Sequence, residues 1–231
     1  MGALQYSFPS IECAIAELGS TDSIWFRGHA RQHRLIPALY RFPSGAANES
    51  NIIEQYRRYT SDSGVRTAGR GLSMLITLHH SYVPTRLLAW TESLHVALFC
   101  ALVRESYPAV FVLNPVALNA HSKIEGILKV DSHPPSDCEL LNWPNHSWLP
   151  EQPIAIDGRS TESDAIETEF IFTLHGTNEL PLEEQCSDCV RKVVLTKEER
   201  LLAAEVILSV RWGPYGTMDD APCKQPPGGL R

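Results

Sequence analysis

In three stretches of the sequence, the spacing of the apolar residues alone is regular enough to predict a helix or a strand. Over residues 92–104 the apolar positions follow one face of a helix, which predicts a largely buried helix. After Pro108, the apolar run Ala109–Leu113 predicts a strand. The segment Leu72–His80 again has helical spacing, and Pro84 requires that this helix end before it.

Shorter signals predict the remaining elements. Thr196 and Glu199 form a capping box, which predicts a helix over residues 196–210. Ser10 is expected to cap a first helix over residues 11–18. The other expected segments are strands at 23–27, 167–175 and 191–195, a polar helix at 49–60, a long surface excursion at 131–158 and a mobile tail at 222–231.

Helices and strands follow one another in irregular order, which is typical of an α+β domain. We expect a single domain over residues 23–212, built on one mixed, mostly antiparallel sheet flanked by helices. An N-terminal helical segment over residues 1–22 would precede it, and a flexible tail over residues 213–231 would follow. A chain of 231 residues with 43% hydrophobic positions buries enough surface to fold without a disulfide or a metal.

The net charge of −7 is unevenly distributed. Residues 1–104 contain ten arginines, no lysine and seven acidic residues, whereas residues 105–231 contain twenty acidic residues. Arginine is favoured where a planar fork grips a phosphate or a carboxylate, so the lysine-free half is compatible with a bound nucleotide. Compositional bias explains the same distribution.

The six cysteines do not indicate a disulfide framework or a metal. The sequence shows no secretory leader and no membrane span, so we expect a cytoplasmic protein with free thiols and no membrane association. Cys186 and Cys189 form half of a zinc ribbon. Its nearest partners, His133, Cys138 and His146, fit no familiar spacing, and no metal is expected.

Several function classes are disfavoured by missing motifs. The sequence has no Gly-rich Lys-Ser/Thr phosphate loop and no strand-linked Gly-x-Gly-x-x-Gly, which argues against a kinase, an NTPase and a Rossmann dehydrogenase. Its acidic charge, without a basic run, argues against dedicated duplex-DNA binding.

Two ordered segments carry a family resemblance. The first is WFRGH at residues 25–29, and the second is HHSYVPTRLLAWT at residues 79–91. Together they resemble the FRG domain family, named for its Phe-Arg-Gly motif, and the blocks VLNP at 112–115 and FTLHG at 172–176 follow in the family's order. The resemblance spans about residues 23–212 and implies a fold and a site location, without a defined reaction.

The chain departs from the family pattern at three places. The family usually has an Asp where this chain has Ala89, a Gly where it has Tyr82, and a Gln-rich stretch where it has Glu167-Thr168-Glu169. If that Asp is catalytic in the family, the resemblance implies an impaired member.

A more distant resemblance points to a chemistry. Phe26-Arg27-Gly28, then Thr91-Glu92-Ser93 before an Ala/Phe-containing helix, then Glu167-Thr168-Glu169 before a strand are similar in order to the motifs of arginine-type ADP-ribosyltransferases. This resemblance implies their fold and NAD as a substrate. ADP-ribose would pass to an unidentified protein or nucleic-acid acceptor, or to water. A non-catalytic module that binds a nucleotide, a nucleic-acid end or a partner protein is the alternative.

Within this hypothesis the motif residues receive roles. Glu169 would stabilise the oxocarbenium-like ribose, and Glu167, two residues away on the same strand face, would orient or deprotonate an acceptor. Arg27 would clamp a phosphate or the nicotinamide ribose. The remaining candidates for substrate binding are Gly28, His29, His80, Arg86, Thr91 and Ser93.

Most of these candidates also have a structural explanation. Arg27 is equally a buried arginine tied to a carboxylate, and Arg86 a loop anchor bound to backbone carbonyls. Thr91 and Ser93 suit a helix cap. His80 would serve equally as a hydrogen-bonded core imidazole, with His29 in its place at the site. The two glutamates alternate with apolar residues, as on the solvated face of a strand.

Overall fold

The structure is a computed structural model that describes residues 6–19, 23–31, 33–62, 72–103, 107–129, 151–159 and 171–209. Its elements mix helices with mostly antiparallel strands, so the α+β prediction is confirmed. The helices are α1 Pro9–Glu17, α2 Gly45–Asp62, α3 Leu72–His80, α4 Leu94–Leu102, α5 Pro115–His121, α6 Leu182–Gln185 and α7 Lys197–Ser209, with a 3₁₀ helix at Ala38–Arg41. The strands are β1 Trp25–His29, β2 Leu87–Trp90, β3 Ala109–Leu113, β4 Leu128–Lys129, β5 Ile154–Asp157, β6 Ile171–Leu174 and β7 Val190–Val194.

The expectation of one sheet is wrong for the described strands, which form two sheets. The chain divides into two compact units: a first unit of residues 1–33, 91–114 and 190–231, and a second unit of residues 34–90 and 115–189. Each unit contains one of the sheets. Hydrophobic periodicity locates a strand but does not select its hydrogen-bonding partner, which is why the sequence could not distinguish one sheet from two.

The first unit is built on an antiparallel sheet in the order β1-β3-β7. The central strand β3 is buried at all five positions, as expected for a strand covered on both faces. On one face, Phe26, Val110 and Val193 pack against the apolar sides of α1, α4 and α7. This packing leaves Arg27 and His29 together on the other face of β1, because alternate residues of a strand point to opposite sides.

Glu199 joins the N-termini of α1 and α7. Thr196 and Glu199 form the predicted capping box: Glu199 N donates to Thr196 Oγ1 at 3.1 Å, and Thr196 N donates to Glu199 Oε2 at 3.0 Å. The other carboxylate oxygen accepts from Ser10 N at 2.9 Å. The predicted Ser10 cap is therefore wrong, since α1 already begins at Pro9, whose fixed φ suits the first helical position.

The second unit contains a four-stranded sheet in the order β2-β6-β5-β4, antiparallel except for the β4–β5 pair. Its core joins Phe172, Ile156 and Leu87 of the sheet to the apolar side of α3. Asn119 on α5 is fully buried and pairs with β5: Ala155 N donates to its Oδ1 at 2.6 Å, and its Nδ2 donates to Ala155 O at 3.0 Å.

The predicted surface excursion at 131–158 is wrong over its last residues. Ile154–Asp157 form β5, whose four residues are all buried. The prolines around this segment favoured the prediction of an irregular loop over that of a strand. The short apolar run nevertheless pairs with β6 on one side and β4 on the other. Residues 131–150 and the predicted mobile tail at 222–231 lie outside the described residues.

Candidate functional site: the Phe-Arg-Gly strand and its neighbours

Arg27 and His29 form a hydrogen-bonded pair on β1. Arg27 Nε donates to His29 Nε2 at 2.8 Å, and His29 Nδ1 lies 3.3 Å from His33 O. Because a guanidinium only donates, Nε2 must accept, so the imidazole is neutral and carries its proton on Nδ1, which donates to the carbonyl. The ring of the 9%-exposed His29 meets Phe111 edge-on at 5.1 Å, which fixes its plane. The pair therefore holds one edge of the Arg27 guanidinium in a set direction.

Gly28 is required by the close approach of α4. A Cβ at this position would lie 1.8 Å from Ala97 O and 2.7 Å from Ala101 N. Only glycine lets the strand and the helix meet at this distance. The Gly of the Phe-Arg-Gly motif therefore faces the packed side of β1, whereas Arg27 and His29 lie on the other side.

Thr91 and Ser93 lie beside β1 at the start of α4. Thr91 and Phe26 form an isolated antiparallel bridge. Ser93 is the N-cap of α4: its Oγ accepts from Val96 N at 3.5 Å, and its own N donates to Thr91 Oγ1 at 3.0 Å. These contacts are the ones that the capping explanation predicts. They also bring the Thr-Glu-Ser turn next to the Phe-Arg-Gly strand.

Arg86 lies in the second unit at the centre of a buried polar cluster. Its Nε donates to both carboxylate oxygens of Glu49, at 3.0 and 3.1 Å, and its Nη2 donates to Glu49 as well. Its Nη1 donates to Tyr40 Oη at 2.9 Å and to the carbonyls of His175 and Gly176 at 3.1 and 3.0 Å. The Arg86 side chain is 3% exposed. This is the arrangement expected of a loop anchor, the alternative to a phosphate ligand.

Tyr40 completes this cluster. Its hydroxyl donates to Gly176 O at 2.5 Å while it accepts from Arg86. Burial raises the pKa of Tyr40, and the nearby guanidinium only partly offsets that effect, so the phenol stays protonated. The cluster ties the 3₁₀ helix, α2, the start of β2 and the end of β6 together. Glu49 is the charged partner of Arg86 in this cluster. The sequence gives no indication of that role, because Glu49 is one acidic residue among others in a polar helix.

His79 and His80 end α3 and differ in surroundings. His79 Nδ1 lies 3.2 Å from Thr85 Oγ1, and its ring meets Phe172 at 5.2 Å. His80 is more exposed, although the part of its ring near Phe172 is desolvated, and this burial lowers its pKa. A lowered pKa keeps the imidazole neutral near pH 7.

The structure places five of the predicted site residues in the first unit: Arg27, Gly28, His29, Thr91 and Ser93. Of these, Arg27 and His29 lie on the face of β1 opposite to the one that packs against α4. His80 and Arg86 belong to the second unit. Glu167 and Glu169 lie outside the described residues, so their predicted roles stay predictions.

The strand and the turn that the Phe26–Thr91 bridge joins both lie in the part of the chain that matches a family model. Residues 22–109 match the FRG domain model. The matched segment contains both motifs, from the Phe-Arg-Gly strand through α4 to the first residue of β3. No curated protein and no solved structure matches the chain. The ADP-ribosyltransferase resemblance therefore stays a hypothesis.

The sequence predicts no membrane span, and the helices of the structure can be compared with that expectation. Among the described residues, no helix is both long enough and apolar enough to cross a bilayer.

One cluster was not predicted from the sequence. His121 at the end of α5 lies beside Cys186, Asp188 and Cys189 in the second unit. The Cys-x-x-Cys spacing was visible in the sequence, but its partner is 65 positions earlier and no local spacing points to it.

Proposed function

We propose that the chain uses NAD, cleaving the nicotinamide glycosidic bond and passing ADP-ribose to a protein or nucleic-acid acceptor or to water. The observation that carries this proposal is the Phe26–Thr91 bridge. The bridge sets the aromatic-Arg-Gly strand beside the Thr-Glu-Ser turn that leads into α4. In the arginine-type ADP-ribosyltransferases the corresponding motifs follow in the same order.

Arg27 is the proposed clamp for a phosphate or for the nicotinamide ribose. A guanidinium binds a phosphate bidentately through its terminal nitrogens, and the Nε contact to His29 is compatible with that mode. His29 is neutral, so it orients Arg27 without competing for an anion. Thr91 and Ser93 lie at the N-terminus of α4, where backbone N–H groups and the helix dipole favour a negative charge.

Glu169 is the proposed group that stabilises the ribose as the glycosidic bond breaks. Departure of nicotinamide leaves positive charge on the ribose ring, and a carboxylate close to the anomeric carbon lowers the energy of that transition state. The acceptor oxygen or nitrogen, or water, then forms the new bond to that carbon and releases its proton, for which Glu167 is the proposed base.

The experiment measures nicotinamide release and NAD binding with the purified full-length chain. We expect NAD to raise the melting temperature and to be converted to free nicotinamide. Glu169→Gln should keep binding and lose release, whereas Arg27→Lys, which keeps the charge and removes the fork, should weaken binding. Glu54→Gln and Arg58→Lys, at an exposed ion pair on α2, are matched controls. If NAD neither shifts the melting temperature nor is cleaved, the proposal fails.

A non-catalytic nucleotide-binding module is the second candidate, and Ala89 favours it. Ala89 lies in β2 opposite Phe172, at the position where the family usually has an Asp. A side chain without a carboxylate cannot act as an acid, a base or an anchor for a ribose hydroxyl. Binding of NAD or ADP-ribose without nicotinamide release, unchanged in Glu169→Gln, would favour this second function over the first.

A further inference from the structure

Four metal-binding side chains converge in the second unit, and none of them is among the residues proposed to handle NAD. His121, Cys186, Asp188 and Cys189 each direct one ligand atom into a space where all of these atoms lie within 4.8 Å of one another. Asp188 connects the set. Its Oδ2 is 3.0 Å from His121 Nε2, and its Oδ1 is 3.5 and 3.6 Å from the two sulfur atoms.

The backbone holds the two cysteines in a tight turn after α6. Cys186 N donates to Leu182 O at 2.9 Å, which ends the helix, and Cys189 N donates to Cys186 O at 3.2 Å, which closes the turn. Their Cα atoms are 5.5 Å apart, and the two sulfur atoms lie at bonding distance, as in a disulfide. A Cys-x-x-Cys turn of this kind is the usual way in which a protein presents two thiolates to one metal ion.

We propose that these four residues bind one Zn²⁺ ion as a structural site. Zinc in structural sites is tetrahedral, with sulfur at about 2.3 Å and imidazole nitrogen at about 2.0–2.1 Å. Two ligand atoms at such distances and a tetrahedral angle are separated by roughly 3.3–3.8 Å. Asp188 already lies close to this range, at 3.5 and 3.6 Å from the two sulfur atoms and 3.0 Å from His121 Nε2. The two sulfur atoms must separate from bonding distance to reach it.

The donor set favours zinc over the hard cations. Two thiolates and an imidazole are soft or borderline ligands, whereas Ca²⁺ and Mg²⁺ require oxygen ligands. The thiols of Cys186 and Cys189 are almost fully buried, whereas His121 and Asp188 close the site from its solvent-exposed side. A low-molecular-weight thiol such as that of a reducing cytosol supplies the two electrons that convert the cysteine pair to two thiols. Metal binding then releases the two thiol protons to solvent, and two thiolates, one carboxylate and neutral imidazole leave a net charge of −1 around Zn²⁺.

The structure pairs the two sulfur atoms as a disulfide, an arrangement that needs neither His121 nor Asp188. Both side chains nevertheless turn toward the sulfur atoms, although His121 comes from the end of α5, 67 positions before Asp188. Zinc would thus cross-link α5 to the turn after α6. Such a link closes a long loop, so metal binding adds directly to folding stability.

The test measures metal content of the full-length chain purified under reducing conditions, by mass spectrometry of the metal and by a thiol-displacement zinc assay. We expect about one zinc per chain. Replacement by Co²⁺ should give the visible absorption of tetrahedral cobalt and a sulfur-to-cobalt charge-transfer band. Because this readout uses the unaltered chain, it does not depend on whether a variant folds.

Variants assign the ligands. Cys186→Ser and Cys189→Ser should lose the metal, whereas His121→Asn and Asp188→Asn should keep a more weakly bound ion, with at least about tenfold lower affinity for His121→Asn. Cys13→Ser, at an exposed cysteine of the first unit, is the matched control and should retain full zinc content. Loss of the charge-transfer band in Cys186→Ser, with retention of the band in Cys13→Ser, supports the assignment.

Three results would overturn the proposal. The first is a reduced chain that takes up neither zinc nor cobalt. The second is an intact mass two hydrogens lower in the chain as purified from a reducing cell lysate, with peptide mapping that locates the disulfide at Cys186 and Cys189. The third is zinc retained in Cys186→Ser but lost in Cys138→Ser, which would place the metal elsewhere. None of these results bears on NAD cleavage, so the two proposals are tested independently.

Discussion

Phe26 and Thr91 exchange two backbone hydrogen bonds: Phe26 N donates to Thr91 O at 2.7 Å, and Thr91 N donates to Phe26 O at 2.9 Å. These residues are 65 positions apart, and the bridge places two motifs side by side that the sequence shows only in order. Arg27 follows one partner directly, and the cap of α4 follows the other. This relationship is the structural basis of the proposed site.

The buried Arg86–Glu49 pair is expected to be essential for stability. Glu49→Gln should lower the free energy of unfolding by about 3–5 kcal/mol, because it leaves a buried guanidinium without its counter-charge. Arg86→Lys should also lower the free energy of unfolding, although it keeps the positive charge. A lysine ammonium cannot hydrogen-bond to Glu49, Tyr40 and two carbonyls at once. Denaturant unfolding measures the change.

The exposed pair between Arg58 and Glu54 is the control for that experiment. Its side chains are 76% and 50% exposed, so Arg58→Ala should change the free energy of unfolding by less than about 1 kcal/mol. Equal losses at the two pairs would contradict the account of Arg86 as a buried anchor.

Gly28→Ala should destabilise the first unit through packing alone. The new methyl group would overlap Ala97 O, so α4 must move away from β1, at a cost of about 3 kcal/mol. Gly19→Ala is the comparison, because nothing lies within 4 Å of a Cβ there and only its positive φ carries a cost, of about 1 kcal/mol. Thermal denaturation of both variants should rank Gly28→Ala as the more damaging. The reverse order would contradict the close approach.

Glu199 should make stability depend on pH. Burial raises the pKa of its carboxyl, but hydrogen bonds from the N–H groups of Thr196 and Ser10 outweigh burial and hold the pKa below its usual value. A lowered carboxyl pKa stabilises the fold above the unfolded-state value of about 4.3, and this contribution disappears as the pH falls through the folded-state pKa.

Glu199→Gln should therefore cost about 1 kcal/mol or more at pH 7, and the difference from the unaltered chain should shrink below about pH 4. Glu198→Gln, at the neighbouring exposed position of α7, should have little effect at either pH. Unfolding curves across this range give the measurement, and a cost that stays constant with pH would argue against the ionised cap.

Tyr82 occupies a backbone conformation that suits glycine. Its φ is +58°, and Val83 N donates to Leu78 O at 3.0 Å, as in a glycine-ended helix. The left-handed conformation costs an L-residue about 1–2 kcal/mol, and glycine loses about 0.5–1 kcal/mol through unfolded-state entropy. Tyr82→Gly should thus stabilise the chain by about 0.5 kcal/mol, as its 55%-exposed side chain loses little packing. Tyr82→Ala keeps the strained left-handed backbone conformation and should not stabilise the chain. An equal increase in the free energy of unfolding for Tyr82→Ala would contradict backbone strain as the cause.

The elements that the sequence predicted correctly depend on local signals. The bounds of α3 and β3 are confirmed in full, because a proline or a polar turn ends each apolar run. The Thr196–Glu199 capping box is confirmed atom by atom, since its two partners are three residues apart.

The relationships that the sequence missed are long-range. Glu49 meets Arg86 across 37 positions, and His121 meets Asp188 across 67 positions. Neither pair has a spacing that a helix or a turn would impose, so only the tertiary fold brings them together. The strand β5 was missed for another reason. Its three apolar residues and one aspartate are too short a run to predict a strand within a proline-rich segment.

The most direct test of the proposed function is the amount of nicotinamide released from NAD per chain over time. The account predicts steady release by the unaltered chain, loss of release by at least about a hundredfold in Glu169→Gln, and a normal melting temperature for that variant. Release that is undetectable in the unaltered chain, or that continues at full rate in both Glu169→Gln and Arg27→Ala, would contradict it.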